Sequence, residues 1–166
     1  MSDKRSRRLL MAITRLHVAV YHGSGGRIGH HLPGRPPILL LHNIGACSGR
    51  PRTTPVAYMR EGQNVIVVGA NLGRATDPGW VHNLRAHPDT DIQIGSTKSR
   101  VHAREANPQE RPPLWALAVR QNPAWGRYQT RTQRTFPIMI LTQIGEHPAS
   151  DARHLGSCRT GHLGRR

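Results

Sequence analysis

Apolar residues along this chain fall into short runs cut by glycine, proline and charge, and their period changes from helical to strand-like near residue 36. Leu9, Ile13, Leu16 and Val20 recur at helical spacing, Arg8 and Arg15 lie off that stripe, and Gly23 stands where a helix would stop. This predicts an amphipathic helix of about 15 residues within the first 22. Beyond it, "PPILLLHN" (36–43) is a continuous apolar run bounded by Pro and Gly, the pattern of a strand buried on both faces. "TTPVAYMR" (53–60) and "NVIVVGA" (64–70) flank "EGQ", which reads as a hairpin with a glycine turn. "DIQIGS" (91–96) and "SRVHARE" (99–105) form a second such pair, and "FPIMILT" (136–142) adds one more strand. Six strands joined mostly by short turns predict an antiparallel sheet closed into a barrel.

Helices are expected between the strands. "DPGWVHNLRAHP" (77–88) opens on Asp and Pro and closes at Pro88. In "NPQERPPLWALAVRQNP" (107–123) Asn107 sits as N-cap, Pro108 at the first helical position, and Leu114, Leu117 and Ala118 on one face. "AWGRYQTRTQR" (124–134) reads as a shorter continuation. The resulting fold class is mainly β with flanking helices (α+β). From residue 144 the chain turns to Gly, His, Arg and Ser, a composition too poor in apolar residues to build a core, so residues 144–166 are expected to be a disordered basic tail. The organisation is thus an N-terminal helix (1–22), a barrel domain (23–143) and that tail (144–166).

Charge narrows the partners. Lys and Arg number 24 against 9 Asp and Glu, a formal net charge of +15 on 166 residues, one domain's worth of chain. Such a surface favours anions: nucleic acid, an acidic membrane leaflet, or a phosphorylated or carboxylated small molecule. Nucleic acid is disfavoured, because Trp80, Trp115 and Trp125 fall on predicted helices instead of alternating on a strand platform. The N-terminal segment puts basic residues before apolar ones, yet Arg15 and His17 interrupt it and no small-residue cleavage site follows, which argues against a signal peptide. As a helix it docks on the protein's own core or touches anionic lipid at the inner face of the membrane. No run approaches the roughly 20 apolar residues that span a bilayer. Two cysteines without paired spacing, Cys47 and Cys158, fit a reducing cytoplasm, and the eleven histidines show no ligand spacing, so no metal site is expected.

Chemistry first surfaces in "GACSGRPR" (45–52), between two predicted strands. Gly45 and Gly49 allow backbone N–H groups to turn outward as a nest, Ser48 adds a hydroxyl, and Arg50 and Arg52 add forked donors, a set suited to phosphate or carboxylate. The spacing matches neither a Walker A loop nor a dinucleotide fingerprint, and a plain glycine turn with solvated arginines has the same pattern.

Taken in order, "SGRPRTTPV", "DPGWVHNLRAHP" and "YQTRTQRTFPIMIL" resemble the deazaflavin-dependent nitroreductase family, whose members reduce quinones and nitro compounds with reduced coenzyme F-420. The resemblance runs over roughly residues 22–142. It implies a split β-barrel of the FMN-binding type, with coenzyme F-420 as hydride donor and FMN as the alternative flavin, an electron-poor acceptor such as a quinone, nitro compound or enone, and a homodimer as one assembly. It also implies site residues: a coenzyme-tail loop at Ala46, Cys47 and Ser48 followed by Arg52, Thr53, Thr54, Pro55, Val56 and Ala57; a ring-side segment at Val68, Gly69, Ala70 and Asn71; and a following helix with Gly79, Trp80 and Asn83. Trp125 and Tyr128 fall on the acceptor side, with Tyr128 as the candidate catalytic proton donor. The chain departs from the family at three places: Ala46 and Cys47 replace a common basic pair, Ala70 a polar residue, and Leu72 a glycine.

Overall fold

A computed structural model describes residues 36–146. The expected N-terminal helix and the tail from residue 147 onward lie outside the described residues. The strands are β1 (Ile38–Ile44), β2 (Pro51–Glu61), β3 (Asn64–Val68), β4 (Asp89–Ile94), β5 (Thr97–Glu105) and β6 (Ile138–Glu146). The helices are α1 (Gly79–Ala86), α2 (Arg111–Gln121) and α3 (Pro123–Gln129). All strand pairs are antiparallel and the sheet closes in the order β1-β2-β3-β6-β5-β4, so β1 also pairs with β4. Closure leaves no bare sheet edge.

Period-two alternation sorts the apolar side chains onto two faces. Leu39 and Leu41 of β1, Val56 and Tyr58 of β2, Val65 and Val67 of β3, Ile92 of β4, Val101 and Ala103 of β5, and Met139 and Leu141 of β6 fill the barrel interior. Trp80, Val81 and Leu84 of α1 join that cluster and close one end of the barrel. The other parity of β2, β3 and β6, with Met59, Ile66, Val68, Ile138 and Ile140, is covered on the outside by Leu114 and Ala118 of α2 and Trp125 of α3, with Phe136 between. The run "ILLLHN" is buried on both faces as its composition implies: Leu39, Leu40 and Leu41 are each 0% exposed.

Turn chemistry sets several boundaries. Gly62, at the first central position of the β2–β3 turn, has φ 58°, the conformation a two-residue hairpin assigns to glycine. Gly95 does the same at φ 60°, so β4 ends at Ile94 and the turn falls at Gly95–Ser96, two residues before the polar turn expected from the sequence. Helix α2 begins at Arg111, not near Asn107. Pro112 and Pro113 have no N–H to donate, so they are accommodated only in a first turn, where donors need no intrahelical partner. Asn107 instead closes the preceding turn: its Oδ1 accepts from the N–H groups of Gln109 (3.0 Å) and Glu110 (2.8 Å), and Glu110 returns a bond to the N–H of Asn107 (2.9 Å). Strand β6 runs to Glu146, three residues past the expected domain edge, because Gly145 and Glu146 pair with Arg100 and Ser99 beyond a bulge at Ile144 of β6.

Candidate coenzyme site

The octapeptide 45–52 comprises the β1–β2 hairpin connection (45–50) and the first two residues of β2, Pro51 and Arg52, and the connection folds back on itself. The N–H of Gly45 donates to Arg50 O (2.9 Å) and that of Gly49 to Gly45 O (2.8 Å), with Gly49 at φ 62°. A Cβ on Gly45 would lie 2.4 Å from Ser48 Oγ and 3.0 Å from Arg52 Nε, so the glycine is what lets these two side chains approach each other. Ser48 Oγ accepts from the Arg50 N–H and from Arg52 Nη2, both at 3.4 Å. Ala46, Cys47, Ser48, Arg50 and Arg52 are all exposed, and among the described residues neither arginine is in an ion pair. The Arg52 guanidinium and the Ser48 hydroxyl meet there, with Arg50 exposed in the same turn and no carboxylate paired to either arginine, a donor set that fits an anionic tail.

Behind the loop, Asn83 of α1 fixes its position. Its Oδ1 accepts from the N–H of Ala46 (2.9 Å) and its Nδ2 donates to Asn43 Oδ1 (2.6 Å). Asn83 and Asn43 are 8% and 2% exposed, so both amides are consumed inside the barrel end. Thr53, Thr54, Pro55 and Ala57 continue along β2 half-buried, whereas Val56 points into the barrel core.

The segment after β3 is held by Arg134. Its Nη2 donates to the carbonyls of Gly69 and Ala70 (3.1 Å each), its Nε to Arg74 O (3.2 Å), and its Nη1 to Asp77 Oδ1 (2.5 Å). Its guanidinium also lies 4.6 Å from the Phe136 ring centroid. Asp77 takes a second arginine, Arg85 of α1, at 2.9 Å, and Arg85 reaches Glu105 at 2.8 Å. The hydrogen bond to Glu105 leads in raising the Arg85 pKa, against a desolvation cost, with Asp77 adding to the rise. Gly69 packs so closely that a Cβ would meet Pro137 Cγ at 2.7 Å and Val81 Cγ2 at 2.9 Å. Asn71 (φ 47°), Leu72 (φ 56°) and Gly73 (φ 78°) then turn in the left-handed region, with the Asn71 amide donating to Thr76 O at 2.9 Å. A Cβ on Gly73 would stand 3.1 Å from Tyr128 O, so this turn abuts the end of α3.

These contacts link the tail loop to α1 through Asn83, the ring-side segment to α1 through Gly69 and Val81, and the turn after it to Tyr128, whereas Gly79 takes part in none of them. Tyr128 is half-buried, with Arg131 5.7 Å from its ring centroid. Two of the expected site residues also serve the core: Trp125 is 5% exposed and packs in the outer cluster, and Trp80 is 9% exposed and packs in the barrel cluster. Asn83 serves the site through the loop backbone. Arg134, Asp77 and Asn43 were not anticipated. Arg134 and Asp77 are 57 residues apart, and no local period marks either.

The fold is thus a closed antiparallel β-barrel that carries a cationic hairpin loop tied to α1 and a strand end clamped by Arg134. The match to known proteins is specific. The family model for F420H(2)-dependent quinone reductase matches residues 13–143, and the chain belongs to that family. It is 42% identical over 135 residues to an F420H(2)-dependent quinone reductase of Mycobacterium tuberculosis H37Rv, covering 79% of this chain and 90% of the relative. Among solved structures it is similar to an F420-H2 dependent reductase (34% identity, TM-score 0.59, 67% of this chain and 97% of the other). It is also similar to a protein described as a domain-swapped dimer (29% identity, TM-score 0.60, 85% and 99%).

Proposed function

We propose that this protein transfers a hydride from reduced coenzyme F-420 to a quinone, with the coenzyme lying from the 45–52 loop to the turn at Asn71–Gly73. The observation that carries this reading is the loop itself: the Arg52 guanidinium and the Ser48 hydroxyl gathered at Gly45, with Arg50 exposed in the same turn, no ion pair to either arginine among the described residues, and a link through Asn83 to α1. A coenzyme tail bearing phosphate and carboxylate is the ligand such donors suit. Reduced F-420, when bound, supplies the hydride. The protein's part is to hold a flat ring and an acceptor in register and keep water away. Gly69 and Ala70, whose carbonyls face Arg134, form the wall on the ring side. Tyr128, whose backbone at the end of α3 lies beside Gly73, is the proposed donor of a proton to the acceptor oxygen, so that the quinone gains one hydride and one proton and leaves as the quinol.

FMN, weighed as the alternative coenzyme, gains nothing from the comparisons, since the family and both reductases named above specify F420. Nitro compounds and enones are further electron-poor acceptors that the same chemistry would serve. Assembly as a homodimer is part of the proposal, supported by the domain-swapped relative. Contact with an anionic membrane through the N-terminal helix is also proposed; among the described residues no helix is long and apolar enough to cross a membrane.

Fluorescence titration of the purified protein with F-420 and, separately, with FMN tests the coenzyme assignment. Saturable binding of F-420 is expected. Saturable binding of FMN with none of F-420 would overturn the assignment.

A further inference from the structure

Arg134 does more than close a loop. Its three guanidinium nitrogens are all directed at residues 69–77: Nη2 to Gly69 O and Ala70 O (3.1 Å each), Nε to Arg74 O (3.2 Å) and Nη1 to Asp77 (2.5 Å). The side chain is only 15% exposed and its flat face rests on Phe136. Beyond the bond from the Gly69 N–H to Pro137 O (2.8 Å) the β3–β6 ladder does not hold this stretch, and it contains two non-glycine residues in the left-handed region, Asn71 and Leu72. Such conformations persist only where the surroundings over-determine them. Ala70 is right-handed (φ −70°, ψ −29°) and Asn71 left-handed (φ 47°). A right-then-left pair turns successive N–H groups to one side, and of these the Ala70 N–H is already given to Val68 O (2.9 Å), which leaves those of Asn71 and Leu72. The carbonyls of Gly69 and Ala70 are meanwhile drawn to Arg134.

We propose that Arg134 is a positioning residue for hydride transfer: by holding the carbonyls of Gly69, Ala70 and Arg74 and the carboxylate of Asp77, it presets the Ala70–Gly73 backbone that receives the coenzyme ring. This rests on the F-420 reading above. The fork is essential to the role, because a lysine keeps the charge for Asp77 but is a compact point donor that cannot span all four acceptors. Asp77 is the second half of the device, since its bond to Arg85 ties the same segment to α1. The tail loop lies outside the clamp, so anchoring of the coenzyme and alignment of its ring are separable.

The test is Arg134→Lys in the full chain, with kcat measured with reduced F-420 and menadione, Kd for F-420 from fluorescence, and the folded fraction from circular dichroism. The expected result is a kcat lowered about tenfold to a hundredfold per folded molecule, the scale of a small misalignment of reacting atoms, with Kd changed less than about threefold. A purely structural arginine would lower the folded fraction and leave kcat per folded molecule unchanged, and that result overturns the inference. If Arg134→Lys does not fold, Asp77→Asn, which keeps size and an acceptor oxygen, is read the same way: reduced kcat at unchanged Kd supports the role, and unchanged kcat contradicts it. A wild-type protein that neither binds nor oxidises the reduced coenzyme would sink the functional reading itself, whereas an active wild type with a fully active variant sinks only the role of Arg134.

Discussion

Asn83 donates to Asn43 across the end of the barrel at 2.6 Å, and the same Asn83 amide holds the N–H of Ala46 at 2.9 Å. A helix residue and a strand residue thereby determine where the cationic loop stands. Asn83→Ala leaves Asn43 Oδ1 and the Ala46 N–H without these partners, the first in a residue only 2% exposed. Urea denaturation is expected to show a loss of about 1–3 kcal/mol, the cost of an unsatisfied buried polar group, together with weaker F-420 binding as the loop loses its anchor. A loss of stability with affinity unchanged would mean the loop holds its shape unaided.

Arg52 lies beside Ser48, exposed and outside every ion pair among the described residues. If it meets the coenzyme's anionic tail, Arg52→Ala weakens F-420 binding by about 1–3 kcal/mol, as charged hydrogen bonds do. Arg60 is the control: it is exposed near the other end of β2 and carries the same charge, so Arg60→Ala should leave affinity unchanged. Equal losses in the two variants would point to bulk charge in place of a defined loop.

Tyr128 stands at the end of α3 against Gly73, on the acceptor side of the proposed ring position. Tyr128→Phe keeps the ring that packs on the outer core and removes only the hydroxyl. The expected result is kcat lowered by about a hundredfold, the lower end of general acid catalysis, with F-420 affinity intact. Undiminished kcat would assign the proton to water.

Acid stability offers a test away from the site. Arg104 grips Glu110 with both terminal nitrogens, at 2.6 and 2.7 Å. This hydrogen bond, followed by the bond from the Asn107 backbone, lowers the Glu110 pKa from 4.5 to about 2. A depressed carboxylate contributes stability above its unfolded pKa, and that contribution is lost as pH falls through the folded value. The Tm difference between wild type and Glu110→Gln should therefore be steady above pH 4.5, shrink toward pH 2 and vanish below it, and be reduced by salt because the pair is exposed. A pH-independent difference would show that the carboxylate charge has no part in it.

Much of this architecture is legible in the chain because barrel strands carry their own signals. "ILLLHN" is buried on both faces and reads as a continuous apolar run, and the equally continuous apolar runs of β3 and β6 turn one parity to the barrel and the other to the helices. The loop 45–52 was visible as a glycine-bounded cluster of donors, and its surroundings in sequence identified the family. What could not be read is what depends on distant pairing. Nothing near Asn83 distinguishes a ligand contact from a strut to Asn43, forty residues away. Trp125 falls on the acceptor side only through the family resemblance, and no local period shows that this helix residue lies 5% exposed in the outer core. Prolines 112 and 113 displaced a helix start that Asn107 and Pro108 alone would have set.

The central claim is hydride transfer, and anaerobic turnover tests it most directly. Purified full-length protein is mixed with reduced F-420 and menadione, and the return of the oxidised coenzyme's absorbance is followed. The account predicts catalytic, saturable reoxidation, one coenzyme per quinone reduced, that requires both reactants. Reoxidation no faster than in the protein-free mixture, by protein shown to bind F-420, would contradict it.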